Sequence, residues 1–215
     1  MVKALVNYEK MNKTLLLGVN GVLVRDRVLL DHVKNNTIQY VSKKLPREPN
    51  PNKLTNELTR VYGHVTVGLR KEYGIKTHDF VSRVYDSNLL DHLADFIDSH
   101  EFYRDIEIIR RLVDMGWDVE LLSNSPLVWS EPVKYAIDPG MRNTLYEKPV
   151  IDMYHKFDPC RKYIYIDSKL CNLLPTAYFD NWSHIHFSEK AEFNFLDGVS
   201  SMKELFIHLN DKSIV

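Results

Sequence analysis

Residues 13–24 read KTLLLGVNGVLV: a lysine and a threonine, three leucines, the turn Gly18-Val19-Asn20-Gly21, and apolar residues again. A short, continuous apolar run ending in glycine marks a strand buried on both faces that closes in a tight turn. Similar β-rich segments recur at residues 118–123, 163–167 and 184–187 and around 193–196. Several of the intervals between them have helical periodicity. Phe102, Ile106, Ile109, Leu112 and Val113 fall on one stripe before Gly116, a glycine placed to stop a helix. Ser201-x-x-Glu204 reads as a capping box, with Met202, Leu205, Phe206 and Leu209 following at helical spacing. Strands alternating with helices predict an α/β fold, a doubly wound, Rossmann-like parallel sheet with helices on both faces.

The interval between the first two strands is different. Residues 26–100 carry helical patterns and no strand pattern: Leu58, Val61, Tyr62, Val65 and Leu69 make one stripe, and Phe80, Val81 and Val84 begin another. Pro46, Pro49 and Pro51 break the chain between two of these helices. The expected organisation is a core of residues 1–25 and 101–215 with a helical cap, 26–100, inserted after the first strand. An insertion there stands over the carboxyl ends of the strands, where doubly wound sheets bind ligands.

Composition limits the function classes. The 215 residues include 28 basic and 29 acidic side chains, so no whole-protein field points to nucleic acid or to an anionic membrane. No apolar run approaches the roughly 20 residues that span a bilayer, and the first residues carry no signal-peptide pattern. An intracellular, soluble chain is expected. Cys160 and Cys171 are too few for a disulfide framework and lack metal-ligand spacing.

The order of motifs carries a resemblance. A strand ending in a glycine turn, a helical insertion, a second strand ending in Leu122-Ser123-Asn124-Ser125, then Lys148-Pro149, then a third strand ending in Tyr165-Ile166-Asp167-Ser168 together resemble the haloacid dehalogenase superfamily of phosphatases. Within it the chain looks most like the pyrimidine 5′-nucleotidase branch, through Tyr62-Gly63-His64-Val65-Thr66-Val67-Gly68-Leu69. The resemblance implies a strand-end Asp that attacks phosphorus and a second Asp, two residues later, that protonates the leaving oxygen. It also implies a Ser or Thr and a Lys on the phosphoryl oxygens, and carboxylates that help to hold Mg²⁺.

Placed on this sequence, the pattern is half present. Gly18 stands at the nucleophile position and Asn20 at the acid/base position, so no catalytic residue is expected there. Ser123, Asn124, Lys148 and Gly21 are the candidate phosphate-binding residues, and Asp167 is the candidate, vestigial metal ligand. Ile166 stands at the first metal-side carboxylate position, although a shift of one residue gives that place to Asp167. Losing a covalent nucleophile alone costs on the order of 10⁴ to 10⁶ in rate. Asp26 and Asp31 are the nearest replacement carboxylates, but both lie beyond the turn.

The expected function is therefore that of a pseudo-phosphatase, without a required cofactor, that binds a phosphate or nucleotide ligand, a protein partner, or both. The alternatives are an active Mg²⁺-dependent phosphatase with another nucleophile, and a self-associating subunit. Simpler structural roles stand beside these. Lys148 can pair with Asp167, Ser125 before Pro126 can cap a helix, and His184 and His186 can be ordinary hydrogen-bonded strand residues.

Overall fold

The structure, a computed structural model, describes residues 13–145, 148–188 and 197–211. The first strand, β1 (Lys13–Leu17), is followed by five helices: α1 (Arg27–Lys44), α2 (Pro51–Tyr62), α3 (Val65–Tyr73), α4 (Thr77–Val84) and α5 (Ser87–Ile97). Then come α6 (His100–Asp114), β2 (Asp118–Ser123), α7 (Leu127–Ile137), β3 (Arg142–Leu145) and the single turn α8 (Ile151–Tyr154). The chain continues through β4 (Lys162–Asp167), α9 (Leu170–Leu173), a 3₁₀ turn (Leu174–Tyr178), β5 (Trp182–Phe187), β6 (Asp197–Val199) and α10 (Met202–Asp211). No described helix is long and apolar enough to cross a membrane.

The six strands form one parallel sheet in the order β3-β2-β1-β4-β5-β6. This is the doubly wound arrangement, and its switch point lies beside β1. Alternation along the central strands sends side chains to two separate layers. Leu15, Leu17 and Ile166 join a large apolar cluster with α6, α7 and the inserted helices. Leu16, Tyr163 and Tyr165 join a smaller, aromatic cluster with Tyr154 and Trp182 on the other face.

The inserted helices share the larger cluster with the sheet. Leu29, Val41, Leu58, Leu69, Phe80, Val84 and Leu93 belong to it. Each of these helices buries an apolar stripe, chiefly against its inserted neighbours, α1 on α2, α4 and α5 and α2 on α3, while α5 packs on α7 beside the sheet.

Some expectations change. The Leu58-to-Leu69 stripe is two helices, α2 and α3, divided at Gly63-His64; Val61 faces solvent, 54% exposed. The α7 helix starts at Leu127 after Pro126, so Ser125 is not its cap. Instead the Ser125 N–H donates to Ser123 Oγ at 3.0 Å. In the capping box, Ser201 Oγ accepts from Glu204 N at 3.2 Å, but the Glu204 carboxylate reaches Ser200 N rather than Ser201. The strand expected around 193–196 lies outside the described residues.

Candidate functional site

A cavity of about 420 Å³ opens at the carboxyl ends of the strands. Val19 and Asn20 enter it after β1, Ser123 to Ser125 at the end of β2, Lys148 after β3, and Asp167 and Lys169 at the end of β4. The inserted helices close the opposite side with Lys34, Thr37, Arg60, His64 and Phe80 among others. The sheet topology thus brings Asn20, Ser123, Asn124, Lys148 and Asp167 together from four separate strand ends. Gly18 and Gly21 are not among the lining residues.

At the floor, Lys148 and Asp167 form an ion pair with Nζ–Oδ2 2.6 Å, and each side chain is only 4% exposed. Lys148 Nζ also donates to the Leu122 carbonyl at 2.6 Å. The Asp167 carboxylate is fully occupied. Its Oδ2 accepts from Lys148, from Tyr165 OH at 2.5 Å and from Asn172 Nδ2 at 3.1 Å. Its Oδ1 accepts from Lys169 N at 2.8 Å and from the same Asn172 amide. Burial works against the charged carboxylate, yet Lys148, Tyr165 and the Lys169 N–H outweigh it and hold Asp167 below the usual carboxylate range. Burial pulls the Lys148 ammonium down despite the attraction of Asp167. Burial and the neighbouring carboxylate push Tyr165 well up, so it remains a hydrogen-bond donor.

The place of a nucleophile on β1 is crowded. A Cβ added to Gly18 would lie 3.1 Å from Asp167 Oδ2 and 3.3 Å from the Ile166 carbonyl. Asp167 therefore puts its carboxylate beside the Cα of residue 18, reaching across from the adjoining strand. Ile166 has no access to the cavity: it is completely buried in the larger apolar cluster. The carboxylate facing the site is at 167.

The turn after β1 is also closed upon itself. Asn20 Oδ1 accepts from Trp129 Nε1 at 2.8 Å, and Trp129 is fully buried edge-on against Tyr85. Gly21 has φ +80, and its N–H donates to the Val24 carbonyl at 2.8 Å. That N–H, a candidate anion donor from the sequence, is already engaged. Asp26 caps α1 through Leu29 N at 3.0 Å and lines a different cavity, while Asp31 is exposed and does not line this one.

Asn124 acts as a clamp. Its amide Nδ2 donates to the Gly63 carbonyl at 3.0 Å and to the Lys148 carbonyl at 2.7 Å, and its Oδ1 accepts from Lys148 N at 2.9 Å. The Tyr62-Gly63 and Gly68-Leu69 pairs gain a packing explanation here. Gly63 caps α2 at φ +74, and an added Cβ would fall 1.3 Å from the Lys148 carbonyl oxygen. At Gly68 an added Cβ would meet Leu58 and Tyr62 at 2.8 Å, so α2 and α3 cross there in close contact. Gly63→Ala is expected to destabilise the protein by about 2–4 kcal/mol through left-handed strain and overpacking; urea denaturation measures it.

His64 caps α3, its Nδ1 accepting from Thr66 N at 3.2 Å. Burial, with Lys169 nearby, pushes its pKa down to about 4, so the ring is neutral near pH 7. Sequence reading missed Lys34, Arg60 and Lys169 because they look like solvated charges on helix and loop surfaces. His184 and His186, the other candidate pair, sit on β5, with Thr176 3.5 Å from one and the Ser168 carbonyl 3.2 Å from the other. No metal-holding group of three or more His, Cys, Asp or Glu occurs among the described residues.

Comparison with known proteins places this geometry in a fold. A haloacid dehalogenase-like family hydrolase of Xanthomonas campestris superposes with TM-score 0.58 at 11% identity, covering 94% of this chain and 92% of that one. A haloacid dehalogenase-like hydrolase of Bacteroides fragilis gives TM-score 0.54 at 11% identity, covering 89% and 98%. The fold is that of the haloacid dehalogenase-like hydrolases. No protein-family model and no curated protein matches the sequence. At these identities the likeness concerns the haloacid dehalogenase-like fold, and chemistry has to be argued from the site itself.

Proposed function

We propose that this protein is a binding member of the haloacid dehalogenase-like fold, derived from a nucleotidase-like phosphatase and without phosphoryl-transfer activity. One observation carries the reading: residue 18 has no side chain, and the Asp167 carboxylate filling the adjoining space is committed to Lys148, Tyr165, Asn172 and the Lys169 N–H. A carboxylate with every strong acceptor direction occupied is a poor nucleophile and cannot approach phosphorus in line. Asn20 has no exchangeable carboxyl proton, and its side-chain oxygen is held by Trp129.

Mg²⁺ does not fit this donor set. The ion is held by one or two free carboxylates together with waters and substrate phosphate, and the single described carboxylate lining the cavity is already neutralised by Lys148 and occupied by its other donors. The nucleotidase-like ancestry is supported by Tyr62-Gly63 and Gly68-Leu69, whose glycines dock the inserted helices. What the cavity retains is a polar, cation-bearing recess suited to an anionic ligand such as a phosphate ester or a nucleotide.

Assay with an aryl phosphate and a nucleotide panel in Mg²⁺ tests the absence of chemistry. The expected result is no turnover above buffer. Turnover by the purified protein that is abolished by Asp26→Asn, Asp31→Asn or Asp167→Asn would replace this reading with that of an active phosphatase.

A further inference from the structure

In a site of the proposed kind an anion would be expected on the floor lysine, but that lysine is spent on Asp167. The unspent charge lies at the mouth. Lys34 projects from α1, Arg60 from α2 and Lys169 from the segment after β4, and all three line the same cavity. Each is solvent-exposed, and none has an ion-pair partner among the described residues. Elsewhere, Lys44 pairs with Asp79, Lys134 with Glu131 and Arg142 with Glu120. Among the described lining residues Asp167 is the one carboxylate, and Lys148 cancels it. His64 is neutral near pH 7. The described lining of the recess therefore carries a net charge of about three positive, contributed by elements from both its sides, which is an arrangement that concentrates anions.

We infer that Lys34, Arg60 and Lys169 form an anion subsite at the cavity mouth for a small organic dianion, whose apolar body lies against the half-buried Leu30 and Val33. The mouth is the cationic part, and Leu30 and Val33 on the α1 wall supply apolar surface beside it. Arg60 offers a planar fork that matches a phosphate or a carboxylate, and the two lysines add mobile point charges. The hydroxyls of Thr37, Thr55 and Thr59 donate to helix carbonyls, so toward the recess they are acceptors for a ligand hydroxyl or amine. This inference rests on the binding reading above and moves the anion away from Lys148 and Ser123.

Calorimetric titration with inorganic phosphate, phenyl phosphate and an uncharged phenol tests it. Phenyl phosphate is expected to bind more tightly than phosphate, the phenol not measurably, and added salt to weaken the two anions. Arg60→Ala, Lys34→Ala and Lys169→Ala are each expected to weaken phenyl phosphate by about tenfold, the size of one lost charge-assisted hydrogen bond. Lys156→Ala, at an exposed lysine outside the cavity, is the matched control and should leave binding unchanged. Absence of binding by phenyl phosphate at millimolar concentration, or equal weakening by Lys156→Ala, overturns the subsite. Release of phenol from the bound ester during the titration would overturn the non-catalytic reading while leaving the subsite standing.

Discussion

Lys148→Met is expected to destabilise the protein by about 3–5 kcal/mol, the range for removing one partner of a buried ion pair. The substitution keeps a similar side-chain volume but leaves the Asp167 carboxylate charged at a position only 4% exposed. Tyr165 and Asn172 still solvate it, although neither brings a compensating charge. Adding Asp167→Asn to Lys148→Met should recover most of the loss, because a neutral amide removes the unpaired charge. Chemical denaturation of the wild type, both single variants and the double variant separates this from simple loss of packing. Equal loss in Lys148→Met and the double variant would sink it.

The pair also sets an acid limit on stability. The folded pKa of Asp167 is depressed, so its contribution is complete above the ordinary carboxylate value of about 3.9 and disappears as pH falls through the lower, folded value. His64 acts earlier. Its folded pKa of about 4 lies below the ordinary 6.5, so the unfolded chain takes up the proton first and stability falls as pH drops from about 6.5 toward 4. A pH series of denaturation midpoints on wild type and His64→Gln distinguishes the two windows.

Much of this was legible in the sequence where one face or one period dominated. The run Leu15-Leu16-Leu17 is buried on both sides of the sheet and could only be a central strand. The β3 strand was missed because Arg142-Asn143-Thr144-Leu145 lies at the sheet edge and pairs with β2 alone. One-sided pairing leaves such a strand without an apolar run to read. The site itself was only half legible. Ser123, Asn124, Lys148 and Asp167 do converge, but Lys148 is held by Asn124 and Asp167, Asp167 also by Tyr165 and Asn172, and Ser123 Oγ accepts from Ser125 N. Spacing in a sequence predicts proximity and says nothing of which lone pairs are left over. The cations of the mouth lie on separate elements, and no linear pattern connects them.

The ends of β1 and β4 share one charge balance. A carboxylate at residue 18 and the one at residue 167 would contend for the same space, since Gly18's added Cβ lies within 3.1 Å of Asp167 Oδ2. Two such charges beside one lysine cannot both stay ionised without a large penalty. The neighbouring Ile166 cannot share the burden: a carboxylate there would enter the larger apolar cluster. The absence of a side chain at 18 and the commitment of Asp167 to Lys148 are thus two sides of one charge balance.

That balance makes a double-mutant cycle decisive. Gly18→Asp alone should destabilise by about 3–5 kcal/mol, by crowding and by burying a carboxylate that Lys148 cannot also neutralise. Asp167→Ala alone should lose a similar amount, because it strands the Lys148 ammonium at the floor. Together they move the carboxylate from β4 to β1 while keeping one charge opposite Lys148. The double variant is therefore expected to be more stable than either single variant, with a coupling free energy of at least about 2 kcal/mol. Additive losses would show that the two carboxylate positions do not exchange. If the rescue is observed, the same double variant with Asn20→Asp is the proper background for introducing phosphatase chemistry. It frees the side-chain position on β1 that in-line attack requires, which Gly18→Asp in the presence of Asp167 does not.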